Sequence, residues 1–167
     1  MAARASRYCP AVDASRDEIR RASAADVEAV ARLLHDFNRE YDEPTPDVTT
    51  LAERIRRLLA HGDTLILLGG DGPDGLALIR LRPSLWNADM EAYLAELYVV
   101  PRRRGQGLGR ALMDAAMHEA RARGAGTMDL GTSESDTAAR HLYERLGFTN
   151  RERGGHGPVM YVYEREL

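Results

Sequence analysis

Apolar positions recur with two periods along the chain, and each period predicts a kind of element. Val27, Val30, Ala31, Leu34 and Phe37 fall at i, i+3, i+4, i+7 spacing, with Glu28, Arg32 and Arg39 opposite. That is the stripe of an amphipathic helix. Ser23 stands before it as an N-cap with Asp26 three residues on, the pattern of a capping box. A short strand is expected ahead of it at residues 19–21. The acidic, proline-containing loop 40–46 ends the helix. Thr45 is expected to cap a second helix with Pro46 at its first position. Val48, Leu51, Ile55 and Leu58 give that helix its stripe, and Gly62 its stop.

From residue 64 the pattern shortens to that of strands. Residues 64–68 are a continuous apolar run, 69–73 a Gly-Gly-Asp-Gly-Pro turn cluster, and 76–82 the returning strand of a hairpin. Residues 85–89 read as a loop and 93–100 as a long strand. A helix is expected from about residue 107 to 123, stopped by Gly124 and Gly126. Its apolar arc of Leu108, Leu112, Met113, Met117 and Ala120 is broad enough to cover a sheet, while Arg110, Asp114 and Arg121 share a wet edge. Residues 128–131 read as a short strand. Asp136 or Ser135 caps a further helix that ends at Leu146 before Gly147, and residues 159–164 alternate as a closing strand. No repeat or linker interrupts the series. It predicts one α/β (α+β) domain over residues 18–167 behind a flexible leader, residues 1–17.

Composition narrows the classes. The 167 residues carry a net charge of −3, with 44% hydrophobic and 29% charged side chains, the mix of one folded domain. The single cysteine, Cys9, excludes an intramolecular disulfide and makes a reducing cytoplasm the expected location. No apolar run approaches the ~18 residues of a membrane helix, and the first residues lack the apolar core of a secretory signal. A slightly acidic chain gives no general reason to bind nucleic acid or an anionic membrane. None of the five histidines stands at metal-ligand spacing with another His or Cys, so no metal is expected. Ser133 and Ser135 lack an elbow motif, which argues against a hydrolase triad. Trp86, alone in its loop, either lines a cleft or plugs a core edge.

The most informative segment joins the long strand to the third helix: Arg102-Arg103-Arg104-Gly105-Gln106-Gly107-Leu108-Gly109. Alternating glycines let successive N–H groups point at one spot, and the helix start adds free N–H groups and the positive end of its dipole. With arginines at the rim, this makes a pyrophosphate cradle; the plainer alternative is a glycine turn with solvated arginines. A nucleotide P-loop is excluded because Gly-Arg-Ala stands where Gly-Lys-Ser/Thr is needed. A dinucleotide fingerprint is excluded because Arg110 occupies its last glycine position.

Arg104-x-x-Gly107-x-Gly109 after a Leu-Tyr-Val strand resembles the acyl-CoA signature of the GNAT N-acetyltransferase superfamily. Residues 139–148, Ala-Arg-His-Leu-Tyr-Glu-Arg-Leu-Gly-Phe, resemble that family's second motif, about 40 residues downstream. The resemblance implies a mixed, mostly antiparallel sheet with helices on both faces. It implies acetyl transfer from acetyl-CoA to a small-molecule or peptide primary amine by direct attack in a ternary complex. A non-catalytic acyl-CoA-binding or sensor domain on the same fold is the alternative, and a homodimer is compatible with either. The family's cofactor contacts fall on Leu97, Tyr98, Val99, Arg104, Gly105, Gln106, Gly107, Leu108, Gly109, Arg110, Asp136, Arg140 and Tyr143. Many members carry Asn where Asp136 stands; Asp caps a helix as well as Asn but cannot donate an amide hydrogen bond.

Two catalytic roles follow from the resemblance. Tyr143 falls on the residue that donates to the CoA sulfur, and a phenol is protonated at neutral pH. Glu96 is expected on the face of Tyr98 and Leu94, amid apolar neighbours. It is a candidate base or anchor for the amine, or else an ion-pair partner of Arg80 or Arg82. Glu40, Asp42 and Glu43, in the loop expected on the acceptor side, lean toward a cationic amine.

Overall fold

The structure is a computed structural model that describes residues 18–86, 89–163 and 165. The leader, Cys9, Asn87 and Glu164 lie outside those residues. Strand β1 (Ile19–Arg21) leads through a 3-10 turn at Ala24–Asp26, closed by the Ser23/Asp26 capping box, into α1 (Val27–Glu40). Helix α2 (Val48–His61) follows. Its cap is Asp47, not Thr45: Asp47 is extended and its carboxylate accepts from the Thr50 N–H at 2.9 Å. Two residue types that cap helices, Thr and Asp, stand within a few positions here, and the carboxylate that sits one residue before Val48 wins.

Strands β2 (Thr64–Gly69), β3 (Gly75–Pro83) and β4 (Met90–Val99) form an antiparallel meander. Helix α3 (Leu108–Ala122), β5 (Ala125–Leu130) and α4 (Thr137–Arg145) complete the series. The sheet order is β1-β2-β3-β4-β5, with β5 parallel to β4 and every other pair antiparallel. Strands β4 and β5 each start three residues earlier than their periodicity suggested. Met90 joins β4 because it pairs with both Pro83 and Ala125, and Gly126 is a β5 residue rather than a helix stop.

The expected closing strand does not join this sheet. Arg153 and Gly154 turn the chain with positive φ, and residue 159 pairs back onto Arg151 instead. Met160 donates to the Asn150 carbonyl at 2.7 Å, and Tyr161, Val162 and Tyr163 stand exposed. Alternation marks a segment able to form a strand; the turn at Arg153 and Gly154 sets its partner, by returning residue 159 to Arg151.

Each face of the sheet has its own core. Leu65, Leu67, Ile79 and Leu94 pack against Leu108, Leu112, Met113 and Ala116 of α3, with Tyr143 of α4. On the other face Ile66, Leu68, Leu76 and Leu78 meet Val27, Val30, Ala52 and Ile55 of α1 and α2. Each buried Val, Leu, Ile or Met among them contributes about 1.5–3 kcal/mol by burial. Gly75 lets α3 come close: a Cβ there would lie 2.8 Å from the Tyr98 carbonyl oxygen and 3.1 Å from Leu112. That close seat fixes the start of α3 beside the end of β4.

Candidate active site

Strand β4 has two halves. Its pairing with β5 runs from Met90↔Ala125 to Leu94↔Leu130 and stops there, while β4 continues to Val99. Among the described residues, residues 95–99 therefore have no strand partner on that side, and Leu97, Tyr98 and Val99 lie on this open half. On the β3 side the register slips between Leu78 and Ile79, so that Leu78 faces Glu96 and Ile79 faces Leu94. Ala95 is the extra residue of a bulge.

The bulge changes what Glu96 looks at. Directly opposed residues share a face, so Glu96 stands on the α1/α2 face with Leu78 and Tyr98, while Leu94 belongs to the α3 face. The expected grouping with Leu94 is thus corrected, and the grouping with Tyr98 stands. The ion pair with Arg80 or Arg82 does not form. Arg80 reaches the Thr64 hydroxyl at 3.4 Å, and Arg82 bonds Glu91 at 2.9 Å and lies 3.7 Å from Asp129. No described residue pairs with the Glu96 carboxylate, and its partial burial pushes its pKa up.

Beyond the open half, Val100 leads through a 3-10 turn, Pro101–Arg103, to the glycine loop. Gly105 and Gly107 both take positive φ, 71° and 96°. Gly107 is the N-cap of α3 and brings no side-chain acceptor; the first helical bond is Ala111 N–H to its carbonyl, at 3.0 Å. The N–H groups of Leu108, Gly109 and Arg110 thus lack a carbonyl inside the helix. Gln106 steadies the loop by donating to the Arg102 carbonyl at 2.8 Å. A Cβ on Gly109 would lie 3.7 Å from both Val99 and Leu142, so the open end of β4, the start of α3 and the body of α4 converge there.

The arginines do not face this point as a cluster of bare charges. Arg102 hydrogen-bonds the buried Asp74 carboxylate, and Arg103 Nε lies 3.8 Å from it. Arg104 donates to Glu40 at 2.6 and 2.8 Å and to the Val99 carbonyl at 2.9 Å. Glu40 is accordingly taken and is not available to a cationic amine. Arg110 pairs with Asp114 at 3.5 Å, and Arg140 donates to the Glu134 carbonyl at 3.1 Å. A run of arginines in an acidic chain signals carboxylate partners; only the folded chain shows that they are Asp74 and Glu40.

On α4, Asp136 is the N-cap and accepts from the Ala139 N–H at 3.0 Å. Tyr143, 8% exposed, packs edge-on to Phe148 with centroids 6.0 Å apart. Its hydroxyl makes no hydrogen bond to a described residue. Burial first, and then the Asp136 charge, push its pKa up to about 12, so it stays protonated at neutral pH. Trp86 is 88% exposed and plugs no core edge. A cavity of about 310 Å³ lies at the far end of α3, lined by Met117, Ala125, Met128 and Phe148, and none of the expected site residues borders it. Among the described residues no three His, Cys, Asp or Glu side chains stand together as a metal site, and no helix is long and apolar enough to cross a membrane.

Known proteins resemble this chain in sequence and fold. The profile of the Acetyltransferase (GNAT) family matches residues 28–148. A Bacillus subtilis (strain 168) protein named as an uncharacterized N-acetyltransferase is 29% identical over 132 residues, 78% of this chain and 88% of its own length. A mycothiol acetyltransferase of Thermobispora bispora is 36% identical over 134 residues, 77% of this chain but only 40% of that protein. The crystal structure of a presumed acetyltransferase from Arthrobacter sp. FB24 superposes with a TM-score of 0.83 at 46% identity, over 93% of this chain and 99% of that one. A soil-metagenome aminoglycoside acetyltransferase bound to sisomicin shares the fold, with a TM-score of 0.72 at 17% identity over 90% and 97% of the two chains. The two motifs, the interrupted β4–β5 pairing and the glycine-led α3 agree with these likenesses: the chain belongs to the GNAT acetyltransferase family.

Proposed function

We propose that the protein transfers an acetyl group from acetyl-CoA to a primary amine of a small molecule or peptide. One observation carries the reading. An uncapped helix start, α3, meets the open half of β4 and Leu142 of α4, the helix that carries Tyr143, at one place. The substrate acetyl-CoA supplies the acetyl group and a thiolate leaving group. The N–H groups of Leu108, Gly109 and Arg110 suit its pyrophosphate. The open half of β4, at Leu97, Tyr98 and Val99, suits amide groups that add to an edge as a strand does. Tyr143 holds a proton for the departing sulfur.

An alkylamine must lose a proton before it attacks. Glu96, unpaired and with its pKa raised by burial, suits a base working near neutral pH, directly or through a water. The acceptor belongs to the same proposal. Relatives named for mycothiol and for streptothricin make polyfunctional small amines the first choice for trial. The test is a panel of an aminoglycoside, streptothricin and peptide amines with acetyl-CoA, following free CoA, alongside calorimetric titration with CoA. Release that depends on one amine is the expected result. Tight CoA binding with no release on a broad panel would favour the non-catalytic acyl-CoA-binding alternative.

A further inference from the structure

Glu40 is the last residue of α1, far in sequence from the glycine loop, yet it makes the firmest side-chain contact that loop has. Both of its carboxylate oxygens take the Arg104 guanidinium, at 2.6 and 2.8 Å, in the bidentate geometry that fixes orientation as well as distance. The Tyr98 hydroxyl also donates to Glu40, at 3.2 Å. Arg104 lies over the Tyr98 ring, 5.7 Å from its centroid, and its Nε holds the Val99 carbonyl. Phe37 of α1 stacks on Tyr98 with centroids 5.1 Å apart. One carboxylate thus ties together the end of α1, the open half of β4 and the first residue of the glycine loop.

We propose that Glu40 is a positioning residue: by fixing Arg104 and Tyr98 it sets the two backbone surfaces that receive the cofactor, the open half of β4 and the start of α3. The proposal rests on the acetyl-CoA reading above and changes the part played by Arg104. Paired with Glu40, its guanidinium adds little net charge to the cradle and acts through geometry. Gly105 and Gly107, both in the left-handed region, place few restraints of their own on the loop, so an anchor at Arg104 is where its path is decided.

The sign of one measurement separates this from the opposite role, in which Glu40 restrains a guanidinium that would otherwise bind phosphate. CoA is titrated calorimetrically into the full chain, well below its melting temperature and at two salt concentrations. Glu40→Gln is expected to weaken CoA binding roughly tenfold, the scale of a lost charge-assisted hydrogen bond, with the salt dependence unchanged. Tighter binding or a steeper salt dependence in Glu40→Gln would show Arg104 freed to meet phosphate and overturns the proposal. Unchanged affinity with a lower melting temperature overturns it too, leaving a merely structural pair. Should Glu40→Gln fail to fold, Glu40→Asp keeps the charge with a shorter reach and is expected to show a smaller loss; no loss there overturns the proposal. A wild-type chain that does not bind CoA overturns the cofactor reading and this inference together, whereas equal binding by wild type and variant overturns this inference alone.

Discussion

Helices α3 and α4 begin in opposite ways. Helix α4 carries its own acceptor: the Asp136 side chain closes its first turn on the Ala139 N–H. Helix α3 begins at Gly107, with φ 96° and no side chain to offer. A side-chain cap is worth about 1 kcal/mol to a helix, so the start of α3 forgoes stability that its neighbour keeps. The difference shows what each helix contributes. The proposed role of α3 lies in its backbone, and that of α4 in one side chain, Tyr143.

The comparison can be broken at either helix. The largest effect is expected at Tyr143→Phe. It should slow turnover by ~10²–10⁴, the range for loss of a general acid, while calorimetry finds CoA affinity unchanged. A full rate at saturation, with chemistry limiting, removes α4 from the mechanism. At α3 the change must reach the backbone. Nothing lies within 4 Å of a Cβ on Gly107, so Gly107→Val acts through its φ alone. Strain of about 1–3 kcal/mol should weaken CoA binding by ~10–100-fold in a protein that still folds. Unchanged affinity would place the cradle elsewhere.

Glu96 sharpens the picture between the two helices through pH. Burial raises its pKa, so the acid limb of kcat/KM should sit above the usual glutamate range and vanish in Glu96→Gln. Stability carries the same sign. A pKa raised in the folded state means full stability below the unfolded value and a loss as pH rises through the folded one. Glu96→Gln should therefore melt higher than wild type at neutral pH; a lower melting temperature would reveal an ion-pair role. Smallest of all is the cap. Asp136→Ala should cost about 0.5–2 kcal/mol in chemical denaturation, and Asp136→Asn almost nothing. Because the Asp136 charge helps raise the Tyr143 pKa, Asp136→Asn should lower it slightly in a spectroscopic titration.

Much of this was legible before folding. The stripe from Val27 to Phe37 and the arc from Leu108 to Ala120 repeat often enough to name helices and the faces they bury. Gly107 could be read as a helix start because a glycine loop and an apolar arc meet there. Glu96 shows where such reading stops: a single inserted residue, Ala95, reverses the face of everything before it, and no periodicity records a bulge within one strand. The partners of the arginines were hidden for another reason. Asp74 and Glu40 are brought in by a hairpin and a helix end distant in sequence, so only tertiary structure selects them among the acidic residues. Residues 159–163 alternate correctly and still do not join the sheet, because alternation does not record the turn that returns them to Arg151.

The order of the strands also sets an order of assembly. β2, β3 and β4 are joined by short connections, so their pairing closes small loops and can form early. β5 joins β4 only after all of α3 has been laid between them. The proposed cradle sits at that seam. The region opposite β5 should exchange its amide hydrogens through partial openings that leave the β2–β4 meander protected, and CoA, by bridging the seam, should slow that exchange most.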